Sequence, residues 1–395
     1  MLDATLRDRA RRLLTASGRS DVPPFMVMDV MAAAARIEAA GGHVIHMEVG
    51  QPAAPAPKTA ILAAHAALDG GRIDYTSALG TPSLRARIAR HYRDTYGCTV
   101  DAERIVVTTG SSGAFILGFL AMFEPGDRVA VTVPGYPPYR HILTALGCEP
   151  VLIETSSETR HALTGDALLA AHRKSQLKGV LVGSPANPTG TMMSREALTS
   201  LISAAEGAGI RFISDEIYHG LDYAFPAVTA AELSPHALVI NSFSKYFCMT
   251  GWRVGWMVVP EPLVRPVERL QQNLAISVPT LSQIAAEAAF EGRNEMEEVK
   301  HGYQENRRIL IEGLPQVGLN KFLPADGAFY LYADVSDFTS DSFEFAKQML
   351  EQARVATTPG IDFDPVHGRR FIRFCYARSA EEMREAVARI ARWLR

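Results

Sequence analysis

The sequence predicts an α/β fold: a large domain with a mostly parallel sheet flanked by helices on both faces, plus a smaller α+β domain formed by the N- and C-terminal segments. Three observations carry this. Between residues 104 and 259 short β-branched runs alternate with helical stretches, the pattern of strand–helix units in a parallel sheet. After about residue 290 the texture changes to charged helical stretches with a few isolated strands. The chain, at 395 residues and 43.0 kDa, is long enough for one large α/β unit with a satellite domain. The expected divisions are 1–47, an N-terminal arm and part of the small domain; 48–292, the large domain; and 293–395, the small C-terminal domain.

In chain order, strands are expected at residues 104–108 (RIVVT), 128–133 (RVAVTV), 151–153, 179–183 (GVLVG), 211–214 (RFIS), 237–242 (ALVINS) and 254–259 (VGWMVV). Helices fall between them at 114–123, 138–146 and 195–206, the last with Ser194 as N-cap and Gly207 and Gly209 as stop signals. In such sheets ligands bind at the carboxyl ends of the strands, so the site belongs in strand-end loops. The second region reads as a helix at 294–314, a strand at 329–334, a helix at 342–354, a strand at 370–374 and a last helix from Ala380. Ser379 and Glu382 have the spacing of a capping box at its start. No long linker divides the regions, so they are expected to pack directly on each other.

Composition narrows the functions. With 47% apolar and 21% charged residues the chain is an average globular protein rather than a disordered or fibrous one. A net charge of −3 leaves no basic excess for nucleic acid or for a polybasic membrane anchor. The longest apolar run, 114–123, has 10 residues where a membrane span needs about 20. Charges alternate at the N-terminus (Asp3, Arg7, Asp8, Arg9) with no apolar stretch after them, so no secretory signal or transit peptide is expected. Cys98, Cys148, Cys248 and Cys375 are scattered without a C-x-x-C pair, which suits a reducing compartment and makes the location cytoplasmic by expectation. His43 and His46 form an H-x-x-H with no evident third ligand, so no metal site is expected.

The chemistry concentrates in residues 241–256, NSFSKYFCMTGWRVGW. Lys245 leaves the end of an expected strand among Tyr246, Phe247 and Met249. There desolvation lowers an amine's pKa and makes it a nucleophile toward a carbonyl, so Lys245 is a Schiff-base candidate. Ser242, Ser244 and Arg253 around it are phosphate ligands by type, which an ordinary exposed lysine loop does not require.

This segment resembles the lysine motif of the class I/II pyridoxal-phosphate-dependent aminotransferases, fold-type I enzymes of the aspartate aminotransferase superfamily: S-F-S-K-x-[YF]-x-[ML]-T-G-W-R-x-G-[WY]. Other pieces follow in the family's order: residues 74–85 (DYTSALGTPSLR), 108–114 (TTGSSGA), 134–139 (PGYPPY), 187–190 (NPTG), 215–218 (DEIY), 326–330 (DGAFY), 359–360 (PG) and 371–374 (FIRF). The likeness spans roughly residues 48–376.

The resemblance implies a role for each matched residue. Lys245 carries pyridoxal 5′-phosphate as a Schiff base and later moves the substrate's Cα proton; Asp215 pairs with the pyridine nitrogen, and Tyr218 and Asn187 bond the phenolic oxygen. Tyr136 stacks on the ring. The phosphate belongs at Ser111, Ser112 and Gly113, where a Gly/Ser turn meets a helix N-terminus, with Ser242 and Arg253 sharing it. Arg373 forks the substrate α-carboxylate, and Gly50 lets the backbone approach the same group. Tyr75 reaches the phosphate of a neighbouring subunit, which implies a homodimer with shared sites. The implied reaction is ping-pong transfer of an amino group from an L-α-amino acid to a 2-oxo acid.

Other outcomes stay open at the level of sequence. A β-lyase, an aminocyclopropane-carboxylate synthase or a decarboxylase would use the same lysine and aspartate. A non-catalytic effector domain would need a DNA-binding partner domain for which about 45 residues of arm leave no room. Two departures concern detail: Ser184-Pro185-Ala186 precedes the NPTG segment where Asn-Pro-x is usual, and no lysine stands near Ser112. No residue identifies itself as a partner for a second substrate carboxylate, and Arg19 reads as a solvated charge.

Overall fold

The computed structural model describes residues 13–395, and residues 1–12 of the expected arm, including Asp3, Arg7, Asp8 and Arg9, lie outside the described residues. β1 (Ile45–His46) pairs with a strand from the far end of the chain, and the next seven strands build one sheet. They are β2 (Ile105–Thr108), β3 (Arg128–Val133), β4 (Glu149–Glu154), β5 (Gly179–Gly183), β6 (Arg211–Asp215), β7 (Leu238–Ser242) and β8 (Gly255–Val258), in the order β2-β8-β7-β6-β5-β3-β4. β3 to β7 pair in parallel, while β8 runs antiparallel to both β2 and β7.

Continuous β-branched runs form these strands because both faces are covered. Val107, Val180, Phe212, Val239 and Val258 point into one core, which takes Leu84 and Ile88 of helix Pro82–Tyr96 and Leu198 and Leu201 of helix Arg195–Gly207. Alternate residues Val106, Val131, Leu181, Ile213 and Ile240 point into the other, with Phe115 and Phe119 of helix Gly110–Met122. Helix Arg195–Gly207 starts at its Ser194 cap, whose hydroxyl accepts from Ala197 N–H.

The small domain is antiparallel. β9 (Lys321–Phe322), β10 (Tyr330–Asp334), β12 (Thr358–Pro359) and β13 (Phe371–Cys375) form a sheet in the order β12-β13-β10-β9, and β11 (Val355–Ala356) pairs in parallel with β1. Helices Arg293–Gln316 and Ala380–Trp393 pack on it, the latter with the Ser379–Glu382 capping box formed in both directions. The helix expected over 342–354 is α-helical only for Ser342–Gln348; it widens into a π turn at Met349–Ala353, and Arg354 at φ 58° then turns the chain into β11. Helix Met26–Ala39, from the N-terminal arm, packs here through Ala34 on Val44, Leu350 and Ala356.

Candidate active site

Because β8 is reversed, the carboxyl ends of β2, β6 and β7 and the start of β8 lie at one edge of the large sheet. A cleft of about 230 Å³ opens there, closed on its far side by the small domain and by the start of helix Met26–Ala39.

Lys245 follows β7 and points its ammonium into this cleft, donating to the Gly50 carbonyl at 2.5 Å. Burial pushes the ammonium down to about 8, assisted by the cations Arg373 and Arg253 and partly opposed by the Asp215 carboxylate. A substantial neutral fraction at physiological pH is what a nucleophilic amine requires. The Tyr218 ring lies 5.9 Å from Nζ, and its hydroxyl meets that of Tyr330 at 2.8 Å.

Asp215 ends β6 beneath the cleft. It is 4% exposed; burial pushes its carboxyl up to about 6, while a hydrogen bond donated by the Tyr139 hydroxyl and one from Ile217 N–H at 3.1 Å pull it back. Such a buried carboxylate is poised to pair with a cationic ring nitrogen. Tyr136 stands beside it in the cleft, edge-on to Tyr139 at 5.2 Å and to Phe25 at 5.9 Å.

The opposite end collects donors for an anion. The Gly/Ser turn is itself the first turn of helix Gly110–Met122, so the unpaired amides and the positive end of the helix dipole face the cleft beside Ser111 and Ser112. Gly110 has φ +66°, and a Cβ there would sit 2.5 Å from Arg253 Nη2, so only glycine lets the guanidinium close on this turn. Ser244 and Thr250 also line this end.

Arg373, on β13, is 2% exposed and sits at the small-domain wall. It donates to Asn187 Oδ1 at 2.9 Å, to Thr358 Oγ1 at 3.2 Å and to the Glu48 carbonyl, with the rings of Tyr330 and Phe363 4.4 and 4.7 Å from its guanidinium carbon. Its Nε has no partner. A carboxylate entering the cleft would meet a guanidinium already oriented by three acceptors.

The structure thus brings together Lys245, Asp215, Tyr218, Tyr136, Asn187, Ser111, Ser112, Arg253, Gly50 and Arg373. Three expected residues stand elsewhere. Gly113 is within the helix and does not line the cleft; Ser242 is buried behind Ser244, to which its hydroxyl bonds at 2.8 Å; and Tyr75 is 81% exposed on the surface. Arg19 is exposed, outside the cleft. Sequence reasoning missed Tyr139 as the hydroxyl partner of Asp215, although it is the second tyrosine of PGYPPY, and Tyr330, the last residue of DGAFY. Among the described residues no three His, Cys, Asp or Glu side chains are grouped to hold a metal ion, and no helix is long and apolar enough to cross a membrane.

The family model "Aminotransferase class I and II" matches residues 42–390. A valine–pyruvate aminotransferase of Mycobacterium tuberculosis is 48% identical over 380 residues, 95% of this chain and 97% of that protein. A (5-formylfuran-3-yl)methyl phosphate transaminase of Methanocaldococcus jannaschii is 33% identical over 94% of this chain and 96% of its own length. Among solved structures, aspartate aminotransferase from Thermus thermophilus with maleate superposes with a TM-score of 0.90 at 31% identity, covering 96% of this chain and 99% of that one.

Proposed function

The chain belongs to the aminotransferase class I and II family, and we propose that it transfers the amino group of small aliphatic L-α-amino acids to a 2-oxo acid such as pyruvate, with pyridoxal phosphate held in the 230 Å³ cleft. The observation that carries this is convergence: an amine held near pH 8, a buried carboxylate, an anion corner and a carboxylate-ready guanidinium all face one small space.

The residues fit the cofactor. Ser111, Ser112 and the amides around Gly113 would hold its phosphate, with Arg253 closing over Gly110 and Ser242 steadying Ser244. Asp215 would face the ring nitrogen, Tyr136 the ring, and Tyr218 and Asn187 the phenolic oxygen. Bound there, pyridoxal phosphate supplies an electron-withdrawing ring that acidifies the substrate's α-carbon. Lys245 Nζ would hold the cofactor through its aldehyde carbon, and its free amine, lowered to about 8 by burial, would take the proton from the substrate's α-carbon. Arg373 and the Gly50 backbone fix the α-carboxylate. The small-domain wall and the start of helix Met26–Ala39 exclude water.

Substrate class follows from the lining. Among the described residues the cations lining the cleft are Lys245, Arg253 and Arg373, each with a task above, so none of the three is free for a distal carboxylate. Phe25, Val27, Met28, Val49 and Ile217 supply apolar wall instead. The 48% identical relative that carries valine and pyruvate in its name supports the same choice.

Tyr75 supports a homodimer. It is exposed, as are Ile73, Leu274 and Ile276, and its loop is joined to that of Leu274 and Ile276 by Thr76 N–H to Ser277 Oγ at 3.5 Å. In the homodimer we propose, a second copy would cover these side chains, and Tyr75 would reach its neighbour's phosphate corner. Four free cysteines suit the reducing cytoplasm.

The test is to mix purified, cofactor-loaded protein with single amino acids and pyruvate and to identify the 2-oxo acid formed. Valine or alanine should be consumed faster than aspartate. Turnover confined to dicarboxylates overturns the substrate reading, and release of ammonia or thiol without a new amino acid overturns transamination.

A further inference from the structure

The four residues after β1 lead from His46 to Gly50, and two of their carbonyls hold the cations of the substrate end: Glu48 O accepts from Arg373 Nη2, and Gly50 O from Lys245 Nζ. The side chains of the same stretch form a second, separate arrangement. Glu48 is fully buried; its Oε1 lies 2.8 Å from His46 Nδ1, and its Oε2 has no partner. The other imidazole nitrogen, Nε2, lies 3.0 Å from Glu38 Oε1 near the end of helix Met26–Ala39, the helix whose first residues wall the cleft. His46 therefore joins the stretch that carries both carbonyls to the helix that covers the substrate.

We propose that His46 is a positioning residue: clamped between Glu38 and the buried Glu48 carboxylate, it fixes residues 46–50 so that the Glu48 and Gly50 carbonyls hold Arg373 and Lys245 at the substrate. The proposal rests on the aminotransferase reading above. A buried carboxylate needs a counter-charge, and among the described residues His46 is the side chain that bonds to it. Neighbouring charges face elsewhere: Arg389 bonds His43 and the Arg354 carbonyl, and Arg354 lines the groove beside helix Met26–Ala39. Cys375, on β13, remains a thiol because burial raises it.

The hydrogen bond that His46 donates to Glu48 is the largest cause holding the imidazole's titration up to about 9, against burial. Because this folded value lies above the ordinary 6.5, the clamp's contribution is complete below pH 6.5 and is lost as pH rises through about 9.

The test uses His46→Gln, Glu48→Gln and the double variant. For the cofactor-loaded proteins, KM for valine and kcat are measured from pH 6.5 to 10. His46→Gln should raise KM roughly tenfold at pH 7, the cost of a misplaced carboxylate clamp, with kcat changed less. The ratio of variant to wild-type KM should fall toward one as pH passes about 9. Adding Glu48→Gln, which removes the charge left unpaired, should restore most of the loss. An unchanged KM, a ratio independent of pH, or a double variant worse than His46→Gln overturns the proposal. Thermal melting of cofactor-free protein gives a readout independent of activity: wild type should lose more stability between pH 7 and 10 than the double variant, and equal losses overturn the clamp even if valine proves not to be a substrate.

Discussion

Tyr139→Phe removes one oxygen beneath the cleft, and its consequence can be worked from the electrostatics of Asp215. Burial raises that carboxyl to about 6, and the Tyr139 hydroxyl is the largest influence in the other direction. A hydrogen bond to a charged group contributes about 1.5–3 kcal/mol, which at 1.36 kcal/mol per pH unit moves the titration upward by roughly one to two pH units. At pH 7 wild-type Asp215 is then mostly ionised, whereas in the variant roughly half to a tenth of the molecules carry the charge. Only the charged form pairs with a protonated ring nitrogen, so the dissociation constant for pyridoxal phosphate should rise roughly two- to tenfold at pH 7. The sign is set by the direction of the shift: the ratio of the two dissociation constants should be largest below pH 6, fall steadily through pH 7 and 8, and approach one above about pH 9, where both carboxyls are ionised. Titrating cofactor into apoprotein by absorbance at pH 6.5, 7, 8 and 9 measures it. Equal affinities at pH 7, or a loss of the same size at every pH, would refute the reasoning and leave Tyr139 as packing alone.

Three further outcomes are expected. Lys245→Ala should still bind cofactor through the anion corner, yet borohydride should fix no label in the peptide around residue 245, and proton transfer from the α-carbon should slow by roughly 10² or more; labelling of another lysine in wild type would contradict the assignment. Gly50→Ala places a Cβ 1.8 Å from the Tyr330 hydroxyl, which is tied to Tyr218, so it should destabilise by about 1–3 kcal/mol in denaturant unfolding, and Tyr330→Phe in the same chain should recover part of the loss; additive effects would show that the clash is relieved elsewhere. Tyr75→Phe should weaken cofactor retention, and mixed dimers with Lys245→Ala subunits should regain activity if the tyrosine serves the neighbour's site; verified mixed dimers without complementation would argue against a shared site.

The large sheet was legible because its strands are buried on both faces and therefore read as uninterrupted runs such as GVLVG and ALVINS. The reversal of β8 was not, because VGWMVV has the same texture whichever way it runs. Helix Pro82–Tyr96 carried ordinary signals, the Thr81 cap, Pro82 in its first turn and Gly97 at φ 71° after its end, yet its residues were read only as part of a motif. Of the site, the residues with unusual chemistry for their place were visible: a lysine among aromatics, a serine-rich turn, an arginine inside a strand. Tyr139 and Glu48 were not, since a tyrosine between proline and arginine and a glutamate in MEVG look ordinary until the fold sets one against Asp215 and the other against His46. The exposed position of Tyr75 likewise has no meaning within one chain.

The reversed strand also sets the order in which the protein can be assembled. Ser111 and Ser112 emerge from the ribosome long before their cationic partner, because Arg253 reaches the helix turn only when β8 inserts between β2 and β7, matching Ile105 with Val258 and Ser242 with Gly255. Until then β2 is separated from the rest of the sheet, since β8 is the strand that joins it to β7. A chain stopped after residue 245 would own the reactive lysine but no closed phosphate seat, and its β2 and β7 would present unpaired edges. Closing a contact some 150 residues long is slow, so the capacity to retain the cofactor should arise late in synthesis and all at once, with insertion of a single four-residue strand.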